Sequence, residues 1–185
     1  SSAFIEQLIV RRELSDNWCL NTPDYTSISA FPDWSVRTLD AHRNDQRPYL
    51  YTIDTLKNAE THDPVWNAAQ REMVHLGVMH GYMRMYWAKK ILEWTPDPET
   101  ALATALTLND TFSMDGRDPN GCTGIAWSLG GVHDRPWAER PVFGRVRYMN
   151  ERGLRRKFDI QAYIDRIERR IARSDSSSGP TESGL

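Results

Sequence analysis

Two tryptophans spaced seven residues apart constrain the fold of this chain more than any other feature. Trp87 and Trp94 stand in the segment 78–94, where apolar and aromatic residues dominate. Seven residues make two turns of an α-helix, so the two indoles lie on nearly the same face, about 10 Å apart. Trp66 belongs to the preceding helical pattern and is predicted to pack against Trp87. Aromatic core packing is the ordinary role of such rings. Stepwise transfer of one electron between them is the alternative, provided that a light-absorbing or redox-active group lies nearby.

The length and composition favour one ordinary soluble domain. A chain of 185 residues buries roughly 70% of its unfolded surface, and its hydrophobic share is 39%. No apolar run approaches the ~20 residues of a membrane span, and no signal-peptide pattern opens the sequence. Cys19 and Cys122 do not make a disulfide framework, which favours a reducing intracellular compartment. No histidine and cysteine spacing resembles a metal site, so we predict none.

The distribution of charge is uneven along the chain. Residues 145–173 hold ten Lys and Arg against four Asp and Glu, whereas the rest of the chain holds 13 basic and 21 acidic residues. A basic segment of this kind can follow a phosphate backbone. The alternative is the solvated face of a C-terminal helix. Charge alone does not decide between them.

The periodicity of apolar residues predicts an all-α fold without internal repeats or alternating β patterns. Loops are predicted at 21–47, with a helical turn at 37–44, and at 114–121. A Ser- and Gly-rich tail, 174–185, is predicted to be disordered, which leaves 1–173 as the folded part. The predicted helices are 3–17, 49–58, 64–75, 79–93, 98–109, 121–129, a helix within 137–150, and 159–173.

Several motifs, in order along the chain, resemble a known flavoprotein family. The segments 63–73 (DPVWNAAQREM), 77–85 (GVMHGYMRM) and 114–121 (MDGRDPNG) resemble the C-terminal FAD-binding helical domain of the photolyase/cryptochrome family. The segments 11–17 (RRELSDN), 108–110 (LND) and 124–127 (GIAW) narrow the resemblance to the class II cyclobutane pyrimidine dimer DNA photolyases. The match runs from about residue 4 to residue 163.

This resemblance implies a carbon–carbon lyase that repairs pyrimidine dimers in UV-damaged double-stranded DNA under light, with reduced FAD as its cofactor. The family also has an N-terminal antenna domain, with a possible second chromophore, and a helical segment that holds the FAD phosphates. Both are expected to lie outside this chain, so the remaining part of the same protein is an implied partner. The nucleus or nucleoid is the implied location, with an organelle not excluded.

The resemblance assigns one group of residues to the flavin. Arg84 and Asp115 are expected to pair beside the reactive face of the isoalloxazine ring, and the alternative is a structural ion pair. Asn109 is expected to face flavin N5, where an amide can accept or donate a hydrogen bond; the alternative is a helix C-cap. Asp115, Gly116 and Arg117 are expected to border the pyrimidine edge of the flavin, and the alternative is an ordinary tight turn.

The resemblance also makes the tryptophans of the first paragraph an electron-transfer chain that photoreduces the flavin. The expected order is Trp87 nearest the flavin, then Trp66, then Trp94 toward solvent. Core packing is compatible with this role.

A third group is implied to contact DNA. Trp127 and Trp137, predicted to lie in loop-rich sequence, match the residues that receive a flipped dimer. Glu6 is assigned to the dimer on the opening helix, with a solvated helix position as its alternative. Positioning contacts to phosphates are expected from Arg140, Arg145, Arg147, Arg152, Arg155 and Arg156. The expected lesion-contacting residues are Glu6, Tyr82, Met85, Trp127, Arg135 and Trp137.

Two other functions are compatible with parts of this pattern. A cryptochrome-like photoreceptor would keep the flavin and the tryptophans but signal to a partner through its tail. A light-independent helical interaction module would need neither a cofactor nor a lesion pocket. Flavin absorbance separates the module from the other two, and dimer repair under blue light separates those two from each other.

Overall fold

Helices form the whole regular secondary structure of the described part of the chain, residues 5–177 of the computed structural model, so the predicted all-α class is confirmed. A π-helical segment, Glu6–Arg11, leads directly into the first α-helix, and a 3-10 turn, Ile28–Ala30, precedes the second. The α-helices are α1 (Arg12–Asn21), α2 (Asp33–Ala41), α3 (Ile53–Lys57), α4 (Pro64–Leu76), α5 (Gly81–Trp94), α6 (Pro98–Phe112), α7 (Pro119–Gly130), α8 (Glu151–Arg155) and α9 (Ile160–Ser177).

Helix α5 lies at the centre of the fold. It packs against α4, α6 and α7, while α9 lies on α4 and α1 lies on α7. The largest buried side chains at this centre are Trp66, Trp87, Trp94 and Tyr86. Burial of large rings is the main favourable contribution to folding, so the packing of α4 and α5 around these rings fixes the core. Within residues 5–177, no helix is both long enough and apolar enough to cross a membrane.

The ends of α4 follow from the residues at its termini. One carboxylate oxygen of Asp63 accepts the backbone N–H groups of Val65 and Trp66 at 2.9 and 3.0 Å, and Pro64 occupies the first turn. Gly77 ends the helix in the left-handed region at φ +67°. Its carbonyl accepts the N–H of Met114 at 2.8 Å. The end of α4 therefore fixes the start of the loop between α6 and α7.

The segment 131–150 overturns one prediction. It contains no helix, although a helix was predicted within 137–150, and the next helix begins at Glu151. Arg140 and Gly144 form an isolated antiparallel bridge, and Val142 adopts φ +67°. The backbone N–H of Val142 donates to Asp45 (2.8 Å), and the N–H of Arg145 donates to a buried hydroxyl of Thr38 (3.0 Å). Side chains about a hundred residues away thus supply the acceptors that a helix would have provided.

Smaller differences concern boundaries. Helix α2 covers nine residues where a loop with a turn at 37–44 was predicted, because Pro32 precedes the helix instead of interrupting it. Helix α6 extends three residues beyond the predicted end at 109. The last helix runs to Ser177 and so includes the first four residues of the predicted tail, while 178–185 and 1–4 lie outside the described residues.

Candidate active site

A bidentate ion pair joins the central helix to the loop between α6 and α7. Arg84 of α5 donates from Nη1 to one carboxylate oxygen of Asp115 at 2.8 Å and from Nη2 to the other at 3.0 Å. The fork of a guanidinium matches a carboxylate in this geometry, which fixes both side chains. The Arg84 side chain is 17% exposed, and its Nε is buried without a hydrogen-bond partner.

Ser113 contacts both members of this pair, and the sequence did not predict it. Its hydroxyl donates to Asp115 Oδ1 at 2.5 Å and accepts from Arg84 Nη2 at 3.4 Å. Burial by itself raises the pKa of Asp115, but the hydrogen bonds from Arg84 and Ser113 outweigh it and lower this pKa overall. The signal for Ser113 was its position two residues before Asp115 in a turn, where a hydroxyl can reach back to its neighbours.

Asn109 lies inside α6 and does not cap it, since the helix continues to Phe112. The side chain is fully buried, and Nδ2 donates to Asp110 at 3.2 Å. Its amide oxygen has no hydrogen-bond partner. A Cβ at Gly121 would stand 3.0 Å from Asn109 Nδ2, so the glycine permits this close packing. A buried acceptor without a partner is costly, and the donor N–H of a bound ligand would satisfy it.

The loop 113–118 is shaped by its contact with the end of α6. Asp110 accepts the backbone N–H of Arg117 at 3.0 Å, and Arg117 adopts φ +65°. A Cβ at Gly116 would stand 2.9 Å from the carbonyl oxygens of Asp110 and Ser113. The close packing of the loop therefore explains why residue 116 is a glycine. Arg117 is exposed, and its left-handed backbone conformation is strained.

The predicted contact between the first two tryptophans is present. The rings of Trp66 and Trp87 stack with centroids 6.4 Å apart and planes 8° apart. Trp87 Nε1 donates to Gln70 at 2.8 Å, and Trp66 Nε1 donates to the carbonyl of Trp87 at 3.0 Å. Trp87 lies three residues after Arg84, which places them on neighbouring positions of one face of α5. The stack thus begins next to the ion pair.

Trp94 continues the series at the end predicted to lie toward solvent, and its own side chain is buried. Its ring stands edge-on to Trp66 at 5.6 Å. Two further rings contact it, Tyr51 at 5.6 Å and His62 at 5.1 Å. His62 stacks at 3.8 Å on Tyr49, which is 46% exposed. The aromatic contacts therefore reach the surface beyond Trp94.

The two tryptophans assigned to the lesion lie on different kinds of structure. Trp127 is half-buried in α7, which confirms the helix predicted at 121–129 and contradicts the loop-rich surroundings expected for this residue; Gly130 and Gly131 end the helix after it. Trp137 lies in the loop 131–150 and is 37% exposed. Trp127 therefore lies near the end of this helix, before Gly130 in its last turn and Gly131 at its left-handed C-cap.

Cations and one carboxylate connect these two tryptophans. The Arg147 guanidinium lies 4.2 Å from the ring of Trp137 and 5.3 Å from the ring of Trp127, and Arg135 lies 5.2 Å from Trp137. Asp134 forms an ion pair with Arg147 Nε at 3.2 Å, without the geometry of a hydrogen bond, and accepts from Trp137 Nε1 at 3.3 Å. Asp134 and the central position of Arg147 were not foreseen.

Other predicted contacts are placed elsewhere. Tyr82 packs against Phe158 at 5.2 Å, at the junction of α8 and α9. Met85 is half-buried next to Arg84 on α5. Glu6 pairs with Arg11 at 3.1 Å on the exposed opening segment, which agrees with its alternative as a solvated helix position. Of the six arginines assigned to phosphates, Arg147 is half-buried, and the exposed ones are Arg140, Arg145, Arg152, Arg155 and Arg156.

Comparison with known proteins identifies relatives of this chain. No protein-family model matches the chain. A protein named deoxyribodipyrimidine photo-lyase from Methanothermobacter thermautotrophicus is 60% identical over 164 residues, which are 89% of this chain and 37% of that protein. A protein of the same name from Oryza sativa subsp. japonica is 57% identical over 172 residues, 93% of this chain and 34% of that protein.

A marsupial relative extends the comparison. The deoxyribodipyrimidine photo-lyase of Potorous tridactylus is 51% identical over 172 residues, 93% of this chain and 32% of its own length. The chain therefore spans about a third of the length of the curated relatives that it matches. Identity above one half over most of the chain means that these proteins share the described fold. Over most of its length the chain is therefore homologous to part of proteins named deoxyribodipyrimidine photo-lyase.

Proposed function

We propose that this chain forms part of the FAD-binding helical domain of a class II DNA photolyase, and that it holds the isoalloxazine ring and receives a cyclobutane pyrimidine dimer. The observation that carries the proposal is the Arg84–Asp115 pair next to the unpartnered amide oxygen of Asn109, in a chain homologous to these proteins. Because the chain spans about a third of its relatives, the FAD phosphates and an antenna chromophore are assigned to the remaining part of the protein.

The described residues fit a reduced flavin. Arg84 offers a fixed, partly accessible positive charge, and the lowered pKa of Asp115 keeps its carboxylate ionised, so that the guanidinium stays oriented. The oxygen of Asn109 can accept a hydrogen bond from a ring N–H. Arg84, Asp115 and Asn109 would hold the ring of FAD, and the bound cofactor would supply a light-driven electron for dimer splitting. No net proton transfer is required of this chain.

The tryptophans support a route for recharging the flavin. Trp87 follows Arg84 by one helical turn, and its contacts lead through Trp66 and Trp94 to aromatic side chains at the surface. The indole N–H groups of Trp66 and Trp87 donate to fixed neutral acceptors, which hold both rings in place. Burial excludes water from these two rings.

The second part of the proposed site, around Trp127 and Trp137, is assigned to DNA binding. Trp127 and Trp137 offer partly accessible aromatic faces for two linked pyrimidines that have left the duplex stack, and stacking of this kind is independent of sequence. The exposed arginines after residue 139 suit contacts to phosphates. Both features agree with an enzyme that must bind damage in any sequence.

Two measurements on the holoprotein test the proposal. Its visible spectrum should contain the absorption of a flavin, and a colourless protein that stays colourless when offered FAD would reject the proposal. Under blue light it should split the pyrimidine dimers of a duplex oligonucleotide back into separate pyrimidines. Flavin binding without repair would favour the cryptochrome-like alternative, and loss of 6–4 lesions alone would reject the assignment to cyclobutane dimers.

A substitution tests the electron-transfer route. Trp87→Phe keeps an aromatic ring in the core but removes the most easily oxidised side chain next to the flavin. We expect FAD to remain bound while photoreduction slows strongly, as followed by the flavin spectrum under illumination. Trp18→Phe on α1, which lies outside the series of ring contacts from Trp87 to Tyr49, is the matched control. Equal photoreduction rates in both variants would remove Trp87 from the route.

A further inference from the structure

A lysine is buried directly beside the tryptophan assigned to the lesion. Lys89 lies in the middle of α5, and its side chain is 0% exposed. Its ammonium donates to the carbonyl of Ser128 at 2.7 Å and lies 5.4 Å from the ring centroid of Trp127. Neither the sequence reading nor the flavin site accounts for this residue. Its contacts are instead with α7, the helix that carries Trp127.

A charged ammonium at this buried position carries a cost in stability. Removing an ammonium from water is costly, and a single backbone acceptor compensates for only part of that cost. Burial accordingly lowers the pKa of Lys89 to about 7. Asp134 acts in the opposite direction, and Arg147 adds to the lowering. An apolar side chain of similar length would fill the same volume without this penalty.

The position of Lys89 brings its amine into contact with the ring of Trp127. Two cations from different elements contact this ring: Lys89 from α5, and Arg147 from the loop 131–150 at 5.3 Å. Arg147 also contacts Trp137 and pairs with Asp134, which are both in the same loop. Lys89, by contrast, donates a hydrogen bond to the backbone carbonyl of Ser128, the residue after Trp127. It therefore holds the indole from the core side while the loop contacts can change.

We propose that Lys89 is a positioning residue for lesion binding, which fixes Trp127 and supplies positive charge behind it when DNA is bound. This inference rests on the proposed function. DNA brings negative charge next to a site where the amine is poised between its charged and neutral forms, so binding favours the charged form. Lesion binding should then be coupled to proton uptake by Lys89.

The sign of the pH effect follows from this coupling. If binding raises the pKa of Lys89 above its value of about 7 in the free protein, affinity is highest below that value and falls as the pH rises through it. Each unit by which DNA raises this pKa corresponds to about a tenfold loss of affinity over the range between the two values. Asp134 and Arg147 are the charged groups that face the amine.

The test compares two lysines of the same helix in the holoprotein. Lys89→Met removes the amine beside Trp127, whereas Lys90→Met removes the neighbouring amine, which pairs with Glu93 at 2.6 Å and contacts the rings of Tyr86, Trp94 and Tyr148. Dissociation constants are measured for a duplex with one dimer and for the undamaged duplex between about pH 6 and pH 9. Both variants keep every other titratable group of the loop, including His133.

We expect wild-type and Lys90→Met to lose about tenfold or more in affinity for the dimer between pH 6.5 and pH 8.5, and Lys89→Met to be weak and nearly independent of pH. Equal affinity and equal pH dependence in all three would overturn the inference. If Lys89→Met does not fold, calorimetry of the wild-type in buffers of different ionisation enthalpy decides, since binding at pH 8 without proton uptake overturns it as well. A wild-type protein that does not prefer the damaged duplex would reject the proposed function itself.

Discussion

The buried and the half-exposed tryptophans of this chain use the same side chain in opposite ways. Trp66 and Trp87 stack inside the core, and their indole N–H groups donate to a fixed amide and a fixed carbonyl. Trp127 and Trp137 lie among the cations Lys89, Arg135 and Arg147 at the edge of the core. The first pair has a complete set of neighbours. The second pair keeps ring surface available, so a ligand can replace solvent there.

This difference has a physical basis. A ring enclosed by apolar side chains is stabilised by packing and cannot change its contacts without creating a cavity. A ring contacted by guanidinium groups at the surface is attracted less strongly and can exchange one flat partner for another. The buried set therefore suits a fixed electron route, and the half-exposed set suits transient recognition of a flipped base.

The largest effect should separate the two sets by stability. Trp87→Ala removes a fully buried ring and is expected to lower the free energy of unfolding by about 3–5 kcal/mol. Trp137→Ala removes a ring that is 37% exposed and should cost less than about 1 kcal/mol. Urea unfolding of the holoprotein measures both. Similar losses in the two variants would mean that the contrast in burial has no energetic counterpart.

The second effect concerns DNA affinity, for which the exposed tryptophan should matter more than a buried one. Trp137→Ala should weaken binding to a duplex with one dimer by roughly 5- to 150-fold, as loss of about 1–3 kcal/mol of stacking predicts. Binding to undamaged DNA should change little. Trp94→Phe, a substitution in the buried series, is the control and should leave both affinities unaltered. A dimer affinity that survives Trp137→Ala would remove this residue from the lesion site.

The third effect concerns the ion pair at the other end of the tryptophan series. Asp115→Asn leaves Arg84 without its carboxylate, and we expect a loss of about 1–2 kcal/mol near pH 7, since Asp115 is partly exposed. The lowered pKa of Asp115 means that this stabilisation is present above the unfolded pKa, about 3.9, and is lost as the pH falls through the lower folded value. Unfolding curves of wild-type and variant should therefore converge in acid. Glu6→Gln, in an exposed pair, is the control that should have no measurable effect.

The smallest effect concerns exposed arginines. Arg152→Gln should weaken binding to damaged and undamaged DNA equally, by a few-fold, and lower the slope of log affinity against log salt by about 1. Arg11→Gln, on the opening helical segment, should leave this slope unchanged. An unchanged slope in Arg152→Gln would show that this residue makes no phosphate contact.

Local signals in the sequence were sufficient for most helices. Asp63 and Pro64 predicted the start of α4, and Gly77 predicted its end, because capping depends on groups within one turn. The same reasoning failed for 137–150, where the acceptors for the backbone come from Asp45 and Thr38. The helix predicted at 121–129 is present as α7, so only the loop-rich surroundings expected for Trp127 were wrong.

In the candidate site, too, some features were predicted from the sequence and others depend on the tertiary structure. Arg84, Asp115 and Asn109 were named from motifs, but the participation of Ser113 and the unpartnered oxygen of Asn109 depend on the packing of α6 against the loop that follows it. Asp134 was passed over because its two partners, Arg147 and Trp137, are adjacent to it only in the folded loop.

The sequence by itself determined the all-α class, the helical spacing of Trp87 and Trp94, and the residue types of a family of flavoproteins, because helical periodicity and capping act over a few residues. Only the tertiary structure decided which groups meet. Arg84 reaches Asp115 across 31 residues, and Lys89 reaches Trp127 across 38. Such pairings depend on how α5, α6 and α7 pack around one core, and no local pattern encodes that arrangement.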